Sequence, residues 1–155
     1  MPPDCSEEMA KILSKTVEHD AAFLAAGIEE CRRITRKYGT SFYFATQFFP
    51  RSVREVIYAI YAFARIPDEI VDDPTLTDHG EAIAKLTAWA EGWRTAMNAG
   101  SSEDPVLNAI VSQFRKYGIP SDECEAFLRS MFMDEEKFSY ADYRELEEYM
   151  YGSAG

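Results

Sequence analysis

The sequence predicts an all-α protein. Apolar residues recur every three or four positions along most of its 155 residues, whereas the strict alternation typical of a half-buried strand is absent. Short segments that contain glycine or proline separate these periodic stretches. Hydrophobic residues make up 46% of the chain, which indicates a globular protein rather than a disordered one. A chain of this length is large enough for one domain with a single core.

Two helices are predicted before the first break. Ser6 to His19 has Ser6 as a candidate N-cap, and Asp20 to Lys37 follows it directly. Basic residues crowd the last turns of the second helix, where they suit the helix dipole, although they could instead face an anionic ligand. Gly39 then breaks or bends the helix. The apolar stripes are Met9, Ile12, Leu13 and Val17 in the first helix, and Phe23, Leu24, Ile28, Cys31 and Ile34 in the second.

The next segment, Thr40 to Phe49, is short and aromatic, and Pro50 ends it. A long helix begins at Pro50 or Ser52 and includes the stretch Arg54 to Asp73. Pro67 should kink this helix, because proline removes one backbone hydrogen bond. Core packing is the simplest interpretation of most rings in the aromatic segment, which are Phe42, Tyr43, Phe44, Phe48 and Phe49.

Four more helices are predicted after the loop that begins at Pro74. They cover Asp78 to Asn98, Val106 to Lys116, Ser121 to Lys137, and the chain from Asp142 onwards. The first of these four has an apolar stripe of Ile83, Leu86, Ala90, Trp93 and Met97.

Charge and cysteine content exclude several classes of function. The formal net charge of −11 argues against binding to a nucleic-acid backbone, and an anionic substrate would need a metal or local arginines. Three widely spaced cysteines form no CxxC pair, which favours a reducing, cytoplasmic location. The acidic N-terminus is unlike a signal peptide, and the longest apolar run, Val56 to Ala64, is too short to span a membrane. Peripheral association with a membrane stays open.

The long helix carries one unusual face. Tyr61, Arg65, Asp68 and Asp72 are four, three and four residues apart, so they fall within about 60° of one another around the helix axis. The rest of that helix is mostly apolar, and burying these charges is costly unless they are paired or bind something. We therefore expect the face to point to a cavity rather than to bulk water. Two carboxylates one turn apart suit Mg²⁺ together with phosphate oxygens, and a guanidinium suits a phosphate. A surface salt bridge from Arg65 to Asp68 or Glu69 is the simpler alternative.

Two segments resemble a known family. Ser41 to Asp73, SFYFATQFFPRSVREVIYAIYAFARIPDEIVDD, resembles the signature of squalene/phytoene synthases, which are head-to-head trans-prenyltransferases. Met131 to Asp134, MFMD, and Glu145 to Gly155, ELEEYMYGSAG, resemble the mid-chain motif of the same family. The resemblance implies a helical bundle of the isoprenoid synthase type, with residues 1–155 as the N-terminal part of one domain.

The resemblance also implies a reaction. Family members condense two prenyl diphosphates, farnesyl or geranylgeranyl, through a cyclopropyl diphosphate to phytoene, squalene or dehydrosqualene. Asp68 and Asp72 would then bind Mg²⁺, and NADPH would be needed only if the product is squalene. The resemblance assigns catalytic roles to Asp68, Asp72 and Tyr149, and substrate-binding roles to Tyr38, Ser41, Phe42, Tyr61, Arg65 and Asp134. On their residue types alone, Tyr149 would be a core tyrosine and Asp134 a capping or salt-bridged residue.

The chain departs from the family pattern in one respect. It ends at Gly155, before the position where the second aspartate-rich motif of the family is expected. We therefore expect an incomplete fragment that is inactive alone and dimerises, or dissolves poorly, through the apolar faces of Ser41 to Phe49 and Val56 to Ala64. Collapse of these helices into a smaller core is the alternative. A non-catalytic binding or assembly protein of the same superfamily is the second functional hypothesis.

Overall fold

A computed structural model describes residues 5–76, 79–136 and 143–154, with the side chains of residues 79, 134–136, 145 and 154 excepted. These ranges contain seven helices and no strand, so the predicted all-α class is confirmed. None of these helices is long and apolar enough to cross a membrane. The helices are α1 (Cys5–Tyr38), α2 (Thr40–Thr46), α3 (Arg51–Val71), α4 (His79–Ala99), α5 (Pro105–Tyr117), α6 (Ser121–Glu136) and α7 (Tyr143–Ala154).

The first helix differs from the prediction. The two helices predicted over Ser6 to His19 and Asp20 to Lys37 are one continuous helix of 34 residues, α1. Neither glycine nor proline lies at the presumed boundary, so nothing there interrupts the backbone hydrogen bonds. The apolar stripe of its first half stays in solvent, with Met9, Ile12, Leu13 and Val17 between 58% and 66% exposed.

The second half of α1 packs against α3 and α5. This packing depends on Gly27, which is buried at the contact with the start of α5. A Cβ atom at Gly27 would lie 2.0 Å from the carbonyl oxygen of Pro105, so a larger residue would force the two helices apart. Cys31 is fully buried one turn later, and burial raises the pKa of its thiol to about 12.

The core is an aromatic cluster around the middle of α3. The ring of Phe63 lies with its centroid 5.2 to 5.6 Å from those of four rings on α4, α5 and α6: Trp89, Trp93, Phe114 and Phe127. The predicted apolar stripe of α4 faces this cluster, because Leu86, Ala90 and Trp93 are at most 1% exposed. Burial of these rings ties four helices together and holds α3 in place.

The aromatic segment around α2 is not core, which corrects the prediction. Phe42, Phe44, Phe48 and Phe49 are exposed, and Phe48 reaches 93%, whereas Tyr43 is half-buried. A helix of seven residues buries only one narrow face, and α2 uses that face for Tyr43, which stacks on Tyr58 of α3. Phe44, Phe48 and Phe49 remain more than half exposed.

The charges of α3 oppose its helix dipole. Its first turn contains Arg51 and Arg54 but no acidic residue, and its last turn contains Asp68 and Glu69 but no basic one. The favourable order is the reverse, acidic at the N-terminus and basic at the C-terminus, as in α1. The helix continues through the buried Pro67, and Asp72 follows its last residue as the C-cap.

Candidate active site

The polar face of α3 opens into a cavity. Tyr61, Arg65 and Asp68 line a space of about 300 Å³ together with Ala64 of the same helix. Its remaining walls come from α6 and α7 and consist of Phe127, Met131 and Ser153. The prediction that this face turns towards a cavity therefore describes three of its four polar residues.

Asp72 is the fourth residue, and it lies just beyond the end of α3 rather than in the cavity wall. It follows the end of α3, and its backbone N–H donates to the carbonyl oxygen of Asp68 at 3.0 Å. Its side chain is exposed and is not part of the cavity wall. The prediction that Asp72 also points into the cavity is therefore wrong, because the helix ends one residue too early to enclose it.

Arg65 is the centre of the contacts in this region. Its Nη1 atom lies 3.1 Å from Oδ2 of Asp68, and its Nη2 atom donates to Oε1 of Glu69. Its guanidinium carbon lies 4.4 Å from the centroid of the Tyr38 ring, which is the geometry of a cation–π contact. The Nε atom of Arg65 is buried and has no hydrogen-bond partner in the described part of the chain. The salt bridges anticipated as the simple alternative are thus present, but on a half-buried arginine.

A second cavity of about 300 Å³ lies on the other side of Arg65. Tyr38 and Arg65 belong to its wall, which extends to Asp73 and to Lys85 of α4. Asp73 accepts hydrogen bonds from the backbone N–H and the hydroxyl of Thr75, and these bonds lower the pKa of its carboxyl. Arg65 therefore separates two small cavities and can present donors to either.

Tyr61 is positioned by the junction of α1 and α2. Phe42 stacks on it with 5.6 Å between the ring centroids, and Gly39 lies directly against its hydroxyl. A Cβ atom on Gly39 would be 2.8 Å from the Tyr61 oxygen, so a larger residue here would displace the tip of Tyr61. The local sequence indicates only that Gly39 breaks or bends the helix, because nothing in it shows which side chain lies opposite.

The other predicted site residues are more scattered. Ser41 is exposed on α2, and Tyr149 is half-buried in α7 but absent from the walls of both cavities. Asp134 falls in α6, and its side chain lies outside the described part of the structure. Two residues that the sequence did not single out, Met131 and Ser153, do line the cavity. Both lie within the motifs that carry the family resemblance, which was the available signal.

The carboxylates at this end of α3 fit a divalent cation shared with a ligand. No group of three metal-binding side chains occurs among the described residues. Mg²⁺ is often bound by only one or two carboxylates, with substrate phosphates and water as the other ligands. Asp68 and Asp72 offer such a pair, and the partial negative charge at the C-terminus of α3 favours a cation there.

Comparison with known proteins assigns the family. The family model described as squalene/phytoene synthase matches residues 35–155. The chain is 33% identical to the 15-cis-phytoene synthase of Synechococcus elongatus over 134 residues, covering 86% of this chain and 42% of the relative. It is 32% identical to a phytoene synthase of Arthrospira platensis, covering 82% of this chain and 40% of that protein.

A crystal structure shows the same fold. It is that of squalene synthase HpnC from Alicyclobacillus acidocaldarius, which matches with a TM-score of 0.71 and 28% identity, covering 84% of this chain and 48% of that one. The chain thus spans less than half the length of these relatives. Its helices adopt the isoprenoid synthase fold, as the resemblance implied. By sequence and by structure, the chain belongs to the squalene/phytoene synthase family.

Proposed function

We propose that this chain contributes to a prenyltransferase that condenses two prenyl diphosphates, farnesyl or geranylgeranyl, head to head. The observation that carries the proposal is the half-buried set of Arg65, Asp68 and Glu69 beside a cavity with aromatic walls. Membership of the squalene/phytoene synthase family supports the reaction class. Phytoene, squalene and dehydrosqualene are the candidate products, and NADPH is required only for squalene.

Asp68 and Asp72 would hold Mg²⁺ against the diphosphate. The bound cation supplies Lewis-acid stabilisation of the negative charge on the leaving diphosphate. The two residues differ in their surroundings, since Asp68 lies in the cavity wall whereas Asp72 is exposed just beyond the end of α3. Glu69 engages Arg65 and so helps to keep the guanidinium oriented.

Arg65 would donate to non-bridging diphosphate oxygens, for which its planar fork of donors is suited. Tyr38 supports the guanidinium from one side by its ring. Phe42 and Tyr61 would offer π faces to an allylic carbocation, and the apolar cavity wall would exclude water from it. We also assign Ser41 and Asp134 to substrate binding, and Tyr149 to proton handling or stabilisation of the cation.

Titration calorimetry with Mg²⁺ and a non-hydrolysable farnesyl diphosphate analogue tests the site in this chain. We expect Mg²⁺-dependent binding that falls at least about tenfold, about 1.4 kcal/mol, in Asp68→Asn and Asp72→Asn. Glu18→Gln removes one negative charge from the exposed half of α1 and should leave binding unchanged. Equal affinity in all four proteins would overturn the metal assignment. Failure of the unmodified chain to bind would favour the non-catalytic binding or assembly protein.

Arg65→Lys tests the guanidinium separately from the carboxylates. Lysine keeps the charge but cannot donate to two acceptors and stack on Tyr38 at once, so we expect weaker binding of the analogue. Retention of full affinity in Arg65→Lys would show that charge alone suffices at this position.

Turnover requires a separate experiment. We expect no product from the 155-residue chain alone, because only one carboxylate cluster of the proposed diphosphate site is present in it. A longer protein that contains this chain should make a C30 or C40 hydrocarbon, and comparing its products with and without NADPH identifies which. Condensation by the chain alone would contradict the expectation.

We also propose that the chain self-associates and is cytoplasmic, with peripheral membrane contact. The exposed rings of Phe42, Phe44, Phe48 and Phe49 support self-association, since clusters of exposed apolar side chains drive it. Sedimentation should then show a species heavier than the 17.6 kDa monomer. Fractionation of cells and co-sedimentation with vesicles test the location. A stable monomer would contradict self-association. A protein found only in the soluble fraction would contradict the membrane contact.

A further inference from the structure

A larger cavity lies at the opposite end of α3, away from the candidate active site. It has a volume of about 580 Å³, within the range of about 300 to 1,000 Å³ that is typical of small-molecule sites. Its walls come from the middle of α1, from Tyr43 and Gln47 at α2, and from the first two turns of α3. Arg54 in this wall precedes Asp68 by 14 residues, which corresponds to about 21 Å along the helix axis.

The charged side chains that line this cavity come from α1 and α3, and their charges are not balanced. Arg32 is neutralised by Glu29, with Arg32 Nη2 and Glu29 Oε1 2.6 Å apart, and this pairing lowers the pKa of the Glu29 carboxyl. Arg51 is paired with Glu55 at 3.1 Å. Arg54 has no carboxylate partner among the described residues. Three guanidinium groups therefore face two carboxylates, which leaves one net positive charge in a chain whose total is −11.

Arg54 is held in place by a hydrogen bond, but its Nε–H group has no acceptor among the described residues. Its Nη1 atom donates to Oε1 of Gln47 at 2.9 Å, and Gln47 in turn donates to the Tyr58 hydroxyl at 2.9 Å. Its Nε atom is buried without a partner in the described chain. A guanidinium fixed by a neutral amide, half-buried and uncompensated, is electrostatically unfavourable unless an anion joins it.

The start of α3 adds to this positive potential. The helix begins without a side-chain N-cap: the carbonyl of the capping residue, Pro50, accepts from the N–H groups of Val53 and Arg54, but those of Arg51 and Ser52 receive no acceptor from it. The partial positive charge of the N-terminus therefore adds to that of Arg51 and Arg54 instead of opposing it. Helix N-termini of this kind favour anions.

The α1 side of the cavity is mostly apolar. Besides the Glu29–Arg32 pair, it consists of Ala21, Leu24, Ala25 and Ile28, which form one face of α1 at helical spacing. Tyr43 and Tyr58, which also line the cavity, stack on each other with 6.0 Å between their ring centroids. A ligand that fills this cavity must therefore combine an anionic group at one end with an apolar body at the other.

We infer that this cavity binds an organic phosphate with an apolar body, with the phosphate on Arg54 and the start of α3. The two sources of such a ligand are a soluble alkyl or prenyl phosphate and the phosphatidic acid of a membrane. The site is independent of Asp68, Asp72 and Mg²⁺, so it does not rest on the proposed condensation.

The test is binding of n-octyl phosphate to the 155-residue chain by calorimetry in EDTA. We expect octyl phosphate to bind at least about tenfold more tightly than inorganic phosphate, since the alkyl chain gains contact with the apolar wall. Arg54→Gln should weaken octyl phosphate at least about tenfold, whereas Arg129→Gln, which removes an exposed arginine on α6, should not. Asp68→Asn should also leave it unchanged, which separates this site from the candidate active site.

A second variant tests the same cavity in case Arg54→Gln does not fold. Ala25→Phe fills the apolar wall and leaves every arginine in place, so it should reduce octyl phosphate binding while the thermal midpoint is kept. Farnesyl monophosphate in solution and vesicles with phosphatidic acid then distinguish the two sources, and Arg54-dependent binding to either supports the inference. Equal binding of octyl and inorganic phosphate, or octyl phosphate binding that is independent of both Arg54 and Ala25, would overturn it.

Discussion

The two ends of α3 differ in the charged groups that surround their arginines. At its C-terminal end Arg65 lies among carboxylates, where we propose that a cation and a diphosphate bind. At its N-terminal end Arg54 lies among other arginines and tyrosines, with no carboxylate of its own. Both arginines have a buried Nε atom without a hydrogen-bond partner in the described residues. Arginine thus has a different proposed role at each end of α3, because the neighbouring side chains differ.

Neither end of α3 has the charges that would stabilise the helix. Each like charge at a helix terminus costs about 0.3 to 1 kcal/mol. By contrast, α5 follows the ordinary rules, with an aspartate N-cap and basic residues in its last turn. An arrangement that is unfavourable at both ends of α3 is understandable if each end attracts a counter-ion, and the middle of the helix must then supply the stability.

Phe63→Ala is the strongest test of whether the middle of α3, rather than its ends, stabilises the protein. Phe63 is 5% exposed and contacts four aromatic rings, so its truncation should destabilise the protein by about 3 to 5 kcal/mol in denaturant unfolding. Phe48→Ala is the matched control, since Phe48 is 93% exposed and its loss should change stability by no more than about 0.5 kcal/mol. Similar values for the two variants would mean that the middle of α3 is not the core.

Gly39→Ala separates positioning from stability at the C-terminal end. The added Cβ would displace the tip of Tyr61, at a cost of about 1 kcal/mol in stability, and should weaken binding of the diphosphate analogue. Gly92→Ala is the control. A Cβ atom added there would lie 3.6 Å from its nearest neighbour, a methyl group of Leu107, and alanine in place of glycine stabilises a helix interior by about 0.5 to 1 kcal/mol. Unchanged analogue binding in Gly39→Ala would remove Tyr61 from the site.

Asp104→Ala measures what a conventional helix start contributes. Asp104 accepts from the N–H groups of Val106 and Leu107 at 2.9 and 3.1 Å, so its loss should cost about 1 kcal/mol. Asp104→Asn keeps an acceptor and should cost much less. An equal loss in both variants would mean that the carboxylate charge, rather than the hydrogen bonds, stabilises α5.

Asp72→Asn should have the smallest effect on stability, and it should stabilise the protein rather than destabilise it. Removing a negative charge from the C-terminus of α3 should stabilise the metal-free protein by about 0.3 to 1 kcal/mol while reducing Mg²⁺-dependent binding. Asp122→Asn, at the start of α6, should instead destabilise by a similar amount. Destabilisation by Asp72→Asn in the absence of metal would contradict the view that this end trades stability for binding.

The helical class, most helix boundaries and the polar face of α3 could be predicted from the sequence alone. Proline and glycine act on the backbone of their immediate neighbours, so the starts of α3 and α5 could be placed to within a residue or two. The spacing of Tyr61, Arg65 and Asp68 alone showed that they share a face, because helix geometry is local. The family resemblance then linked that face to a reaction class, which the comparisons support.

What lies opposite each residue depends on the packing of the helices and could not be predicted from the sequence. The continuity of α1, the exposure of the α2 rings, the position of Asp72 outside the cavity wall and the contact of Gly39 with Tyr61 depend on where distant segments pack. The unbalanced charge at Arg54 likewise depends on α1 and α2 lying across the start of α3. Apolar periodicity indicates which face of a helix can be buried, but whether it is buried depends on a partner that no local pattern encodes.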